Sequence, residues 1–261
     1  MEKSFEIIST NQGNFLINEF DLIGNFIKST GQWEHHLYDF YSKIIDKEDI
    51  IIDAGANLGY HAIQFGFLGK KVYGFEPQRL VFNQFCANVL FNDLNDVVFP
   101  FKYALGHKTE VKQMWSIEKE DFGQGIYNWG GRGLEHGQSF HTSDEFREHD
   151  QVEVISLDSF SIPKCDFFKI DIQGYEYYAF MGARKLIENN KPIILLESAP
   201  ERSELDVQVL DYLKGLGYSN FRYYQNTNED CILTHPDNKK YNQCLDQIKL
   251  IQIKYNIKQD F

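Results

Sequence analysis

Three groups of residues have types and spacing suited to chemistry. The first is Asp53-Ala54-Gly55-Ala56-Asn57-Leu58-Gly59, a glycine turn that opens with an acid. Glycines between a strand and a helix let a ligand approach the bare backbone. The second is Glu76, which follows the run Lys71–Phe75. A carboxylate at the end of a second strand can accept from both hydroxyls of a ribose. The third is Asp171, in Asp171-Ile172-Gln173-Gly174-Tyr175-Glu176, with Glu197 closing the later run Ile193–Glu197. Carboxylates at strand ends can receive a proton from a reacting hydroxyl.

The turn discriminates between ligands. A dinucleotide asks for GxGxxG, because its pyrophosphate must touch unobstructed backbone at a helix N-terminus. Asn57 stands at the second glycine position, and Asp53 would repel a pyrophosphate. S-adenosylmethionine carries a sulfonium and an ammonium in place of phosphates, and an acidic rim attracts both. Glu76 supports an adenosine ligand without choosing between the two. A phosphate-binding loop is not indicated: Gly66–Lys71 lacks the GxxxxGK[ST] spacing and follows a helix.

These residues need elements to position them. Ile50–Asp53, Lys71–Phe75, Val97–Ala104, Cys165–Ile172 and Ile193–Glu197 read as buried parallel strands. Tyr60–Leu68, Pro77–Leu94, Tyr175–Asn189 and Glu204–Leu216 read as the helices between and after them. Phe221–Tyr224 and Asp230–Leu233, split by Gln225–Asn228, read as an antiparallel hairpin. Leu245, Ile248 and Ile251 have helical spacing, with strand as the alternative. Alternating strands and helices imply an open α/β sheet with helices on both faces and ligands at the carboxyl ends of its strands. Residues 1–48 read as an N-terminal extension, a hairpin turning at Asn11–Asn14 followed by a helix at His35–Ile45. Residues 49–261 form the ligand-binding domain. The stretch Gln113–Gln151 is rich in Gly, His and aromatics and reads as a long loop, a common place for substrate contacts.

The chain has 261 residues, with 43% hydrophobic, 15% aromatic and 25% charged, an ordinary globular composition. Its formal charge of −12 argues against a nucleic-acid partner, whose affinity rests on dense Lys and Arg. Residues 1–13 lack the apolar segment of a signal peptide, and no run reaches the ~18 apolar residues of a membrane span. A cytoplasmic location without membrane insertion is the expectation. Cys86, Cys165, Cys231 and Cys244 form no CxxC pair and read as core thiols.

The segments IIDAGANLGYHAIQFG, VYGFEP, FFKIDIQGYE and IILLE resemble the FkbM-type S-adenosylmethionine-dependent methyltransferases over roughly Trp33–Glu197. The ordered set DxGANxGxH, FEP, KIDxxGxE is specific, whereas any one piece is weak. The resemblance implies a class I methyltransferase (Rossmann-like) fold, a mostly parallel seven-stranded sheet with an antiparallel strand near the C-terminus. It also implies O-methylation, often of sugars or polyketide-type metabolites. By motif match, Asp53, Gly55, Asn57 and Gly59 line the methionine part of the cofactor and Glu76 takes the ribose. Asp171 lies beside the transferable methyl, and Glu176 opens the next helix. Trp33-Glu34 matches a position that folds over the cofactor, and Asn128-Trp129-Gly130-Gly131 resembles a loop after strand three. Gln173 departs from the family, which usually has an acid there.

A hydroxyl acceptor asks for a base, for which Asp171, Glu197 and the loop histidines His136 and His141 qualify. Asp171 is best placed by topology, with capping of the next helix or binding of the cofactor amine as its other reading. Asp171, Glu176 and Glu197 could gather a divalent cation, though nothing in their spacing demands one, and no metal is expected. His61 reads as a packed or capping residue. Tyr127 and Trp129 could wall an acceptor or merely anchor the loop. The leading expectation is O-methylation of a sugar or other small metabolite. N- or carboxyl-methylation, an NAD-dependent oxidoreductase and a non-catalytic cofactor-binding protein stay open beside it.

Overall fold

The computed structural model describes residues 5–115, 126, 128–131, 133–134, 149–198, 204–225 and 228–255. Strands β1 (Phe5–Thr10) and β2 (Gly13–Asn18) form a hairpin, followed by helices α1 (Leu22–Thr30) and α2 (His35–Ile44). The alternating part begins with β3 (Ile50–Ala54), α3 (Tyr60–Leu68), β4 (Lys71–Phe75), α4 (Arg79–Phe91) and β5 (Val98–Phe101). After it come β6 (Ala104–Leu105), β7 (Glu110–Trp115) and β8 (His149–Ile155). Alternation resumes with β9 (Phe167–Ile170), α5 (Glu176–Gly182), α6 (Arg184–Asn190), β10 (Ile193–Glu197) and α7 (Glu204–Gly215). A hairpin of β11 (Ser219–Gln225) and β12 (Asn228–Thr234) and helix α8 (Tyr241–Tyr255) complete the order.

The central sheet has seven strands in the order β11-β12-β10-β9-β3-β4-β5. β10, β9, β3, β4 and β5 run parallel, and β12 is antiparallel to both of its neighbours. The parallel strands are buried on both sides, so they are apolar almost throughout, and alternation assigns each residue to a layer. Ile51 and Phe167 face a layer with Tyr41, Phe65, Phe85 and Ile248, built from α2, α3, α4, α8 and the N-terminal hairpin. Ile52 and Phe168 face the other, with Phe180, Ile187 and Leu213 from α5, α6 and α7. The same alternation puts Asp53, Lys169 and Glu197 on the first layer's side, at the carboxyl ends of β3, β9 and β10.

The N-terminal segment is stitched to this layer. Asn92 Oδ1 accepts from Asn14 N (2.8 Å), and buried Asn88 accepts from Leu16 N (2.5 Å) while donating to Leu58 O (2.7 Å). Asp21 caps α1 through Gly24 N (2.9 Å), and Gly31 ends it in the left-handed conformation.

Three regions depart clearly from the sequence expectation. The third strand, expected over Val97–Ala104, stops at Phe101, and Ala104 and Leu105 pair with β8 in a separate three-stranded sheet, β6-β8-β7. Pro100 is tolerated because β5 is the sheet edge. The long loop is shorter than expected, because residues 113–115 and 149–151 pair as β7 and β8. The helix expected over Tyr175–Asn189 breaks at Ala183. There Asp158 accepts from Lys185 N (2.9 Å) and Leu186 N (3.0 Å) and starts α6 afresh. The C-terminal stretch is helix, α8, as its spacing indicates, and not the alternative strand.

Candidate functional site

The sheet reverses its winding between β3 and β9, and a cleft opens at the carboxyl ends of these strands, the place an open α/β sheet reserves for ligands. It has two connected chambers that share Gly55, Glu76, Gly130, Asp171 and Gln173. The first, about 530 Å³ including its opening to solvent, is mostly apolar, with Phe75, Val81, Tyr103, Leu105, Met114 and Trp129. The second, about 840 Å³ including its open mouth, is polar, with Glu34, Asn57, His61, Lys169 and Glu197.

The turn after β3 is held by backbone. Gly55 N and Ala56 N both donate to Phe75 O (3.0 Å each). Gly55 has φ 75, and a Cβ there would lie 1.7 Å from Asp171 O. Only glycine lets the turns after β3 and β9 touch. Asn57, with φ 52, donates through its N–H to Glu76 Oε2 (3.0 Å), while Gln78 N donates to Glu76 Oε1 (2.8 Å). Each Glu76 oxygen thus keeps acceptor capacity for a further donor. Burial pushes this carboxyl up to about 7, with the two N–H donors pulling the other way.

Lys169 was not singled out by its sequence. Its ammonium lies 3.6 Å from Asp53 Oδ1, its register partner on the neighbouring strand, and 3.9 Å from Asp171 Oδ2. Burial works against the ammonium, but these acids hold it above its ordinary value. Burial raises Asp53, partly offset by Lys169.

Asp171 and Glu197 form a carboxyl pair at the mouth. The charge of Asp171, added to burial and a hydrogen bond between the two, pushes Glu197 far up. Burial also works against ionised Asp171, but Lys169 and the hydrogen bonds from Glu197 and Gln173 hold it below its ordinary value. The two therefore titrate as one coupled pair, in which Glu197 holds its proton more tightly than Asp171 does. Gln173 Nε2 donates to Asp171 Oδ1 (2.7 Å) and to Glu197 Oε2 (3.1 Å).

Beside the pair, Glu34 Oε2 meets His61 Nε2 (2.9 Å), whose Nδ1 meets Tyr41 Oη (3.2 Å). Asp230, the register partner of Glu197, meets His36 Nε2 (3.1 Å). Trp129 is buried and pinned at both ends of its peptide: its N–H donates to Asp21 (3.2 Å) and its carbonyl accepts from Gln78 Nε2 (3.1 Å). Asp21 and Gln78 also escaped the sequence reading. Neither belongs to a motif, and their partner is distant in the chain.

Of the residues singled out in sequence, Glu34, Gly55, Asn57, Glu76, Asn128, Trp129, Asp171 and Glu197 line the cleft. Asp53, Gly59 and Glu176 do not. Asp53 is fully buried behind Lys169, and Gly59 packs on the Phe85 ring. Glu176 turns inward and accepts from Ile172 N (2.9 Å) and Gly174 N (3.2 Å), fixing the loop that carries Gln173. Burial pushes Glu176 up to about 7. Tyr127, His136 and His141 lie outside the described residues.

This strand order, with an acidic cleft at the switch point, defines a Rossmann-like methyltransferase sheet. The methyltransferase FkbM domain matches residues 53–219, and the chain belongs to that family. Its cofactor is S-adenosylmethionine. Among solved structures, methyltransferase FkbM from Methylobacillus flagellatus KT aligns with a TM-score of 0.51 at 20% identity over 73% of this chain and 44% of that one. The chain thus spans less than half the length of that protein. An rRNA methylase from Streptococcus thermophilus aligns with a TM-score of 0.48 at 14% identity, over 77% of this chain and 95% of the other. At 20% identity the likeness to the Methylobacillus protein is one of fold. No curated protein sequence matches the chain.

The residues present fit S-adenosylmethionine. Glu76 retains lone pairs for a ribose, Gly55 leaves bare backbone, the apolar chamber suits an adenine, and the acidic chamber suits a sulfonium and an ammonium. No described helix is long and apolar enough to cross a membrane.

Proposed function

We propose that this chain transfers a methyl group to a hydroxyl of a sugar or another small metabolite, with Asp171 as proton acceptor. S-adenosylmethionine, when bound, supplies an electrophilic methyl group on a cationic sulfur. Glu76 would hold its ribose, the chamber of Phe75, Val81 and Leu105 its adenine, and Asn57 and Glu34 would flank its amino-acid end. The observation that carries the reading is the Asp171–Glu197 pair. Asp171 lines both chambers, with Glu197 beside it in the polar one, and Lys169 and Gln173 favour the ionised form of Asp171. A neutral alcohol is a poor nucleophile, and a carboxylate within reach removes its proton as the new bond forms. The Asp171 side chain is 32% exposed and can return that proton to water. The formal charge of −12 supports a small acceptor over a polyanion.

The test is methyl transfer to a panel of sugars, polyols, amines and carboxylates. Transfer to hydroxyls is expected, and transfer confined to amines or carboxylates would overturn the acceptor assignment. Asp171→Asn should lower kcat by roughly 10²- to 10⁴-fold with little change in cofactor Kd. Equal loss in both would make Asp171 a cofactor ligand.

A further inference from the structure

Gln173 occupies the position at which the resemblance places an acid, and its amide does something an ionised acid cannot. One Nε2 donates to both carboxyl groups of the pair, Asp171 Oδ1 at 2.7 Å and Glu197 Oε2 at 3.1 Å. The backbone is shaped to deliver it. Gln173 has φ 57, a left-handed conformation that a non-glycine residue adopts at a cost, and the N–H groups on either side of it are held by Glu176. Gly133 makes room for its carbonyl: a Cβ there would lie 2.4 Å from Gln173 O. The side chain lines both chambers.

We propose that Gln173 is a positioning residue: its amide clamps the Asp171 and Glu197 carboxyl groups side by side as one pair, so that Asp171 is held to receive the proton of the methyl acceptor. The proposal rests on the methyltransferase reading above. In the step it serves, the acceptor oxygen forms a bond to the methyl carbon while the carbon–sulfur bond breaks, its electron pair staying on sulfur. The hydroxyl proton passes to Asp171, and Glu197 keeps its own.

The charged surroundings explain why an amide serves better than an acid. Lys169 on β9 is the ammonium beside the pair, 3.9 Å from Asp171, and it also serves Asp53 on β3. Glu34 before α2 is paired with His61 on α3, and Asp230 on β12 with His36 on α2. Glu76 after β4 and Glu176 on α5 add two more carboxyl groups near Asp171. A third carboxyl at position 173 would share Lys169 with the pair and drive the cluster to take up a second proton. The neutral amide adds no charge and donates to an ionised and a protonated carboxyl alike.

The test compares wild type with Gln173→Glu, nearly isosteric, and Gln173→Ala. Carboxyl-carbon NMR titration of the free protein should show Glu197 protonated and Asp171 ionised through neutral pH in wild type. In Gln173→Glu, Asp171 should take up a proton near neutrality, and Gln173→Ala should show a smaller upward move. The acidic limb of the kcat–pH profile should move up by about one pH unit or more in Gln173→Glu. Identical carboxyl titrations in the three proteins, or a fall in kcat with the limb unmoved, would overturn the proposal. Failure of wild type to methylate any acceptor would instead refute the methyltransferase reading, and the NMR titration would still decide the clamp.

Discussion

A buried carboxyl accepts from hydroxyl donors best when ionised, because protonation turns part of its acceptor capacity into a donor. Glu76 sits at about 7 in the free protein because burial outweighs its two backbone donors. Ribose hydroxyls donating to it would favour the charged form, so cofactor binding should expel a proton. The expected outcome is a cofactor Kd that is flat above pH 8 and weakens by about tenfold per pH unit well below pH 7. Calorimetry across this range checks it, and the slope should vanish in Glu76→Gln together with most of the affinity. A slope that persists in the variant would assign the titration to another group. Glu76 was legible in sequence because it ends a short apolar strand after a glycine turn. Lys169 was not, because a lysine inside an apolar strand acquires its meaning only when β3 brings Asp53 alongside.

At the level of elements, the site depends on two turns that touch. Gly55 carries both demands on its residue type: a positive φ and no room for a Cβ, which would lie 1.7 Å from Asp171 O. Gly174 carries only the first, with φ 97 and nothing within 4 Å. Gly174→Ala should therefore lower stability by about 1 kcal/mol, the strain of the dihedral alone. Gly55→Ala should lower it by about 3 kcal/mol or more, because backbone must also move. Urea unfolding measures both, and equal losses would mean that the two turns do not press on each other. The Asp53–Gly59 turn was readable from local spacing, whereas the break between α5 and α6 was not. That break is imposed by Asp158, a capping carboxylate brought in from an earlier segment.

Over the whole molecule, burial of acids sets an unusual pH dependence of stability. Asp21 is raised from 3.8 to about 6, and Glu76 and Glu176 from 4.5 to about 7, with burial the largest cause in each. A carboxyl whose folded value exceeds its unfolded value binds its proton more tightly when folded. Its contribution is complete below the unfolded value and is lost as pH rises through the folded one. The window is therefore about pH 4 to 7, and repulsion within a chain of formal charge −12 acts in the same direction. The free protein should melt at a higher temperature at pH 5.5 than at pH 8. Differential scanning calorimetry would show it, and a Tm that rises with pH across this window would contradict the assignment of these buried acids. Saturating cofactor should lift the pH 8 midpoint most, since it stabilises ionised Glu76.

The sequence by itself determined the class of sheet, because strands buried on both faces must be apolar and the helices between them must alternate with them. It also picked out Gly55, Asn57 and Glu76 of the candidate cleft, because a glycine turn and a strand-end acid are local features. The tertiary structure alone decided which charges meet. The neighbours Asp53–Lys169 and Glu197–Asp230 follow from register between strands that are not consecutive in the chain, which no local spacing encodes. It also gave Gln173 its meaning: an odd residue in a motif becomes, once β9 and β10 lie side by side, the amide that joins two carboxyl groups.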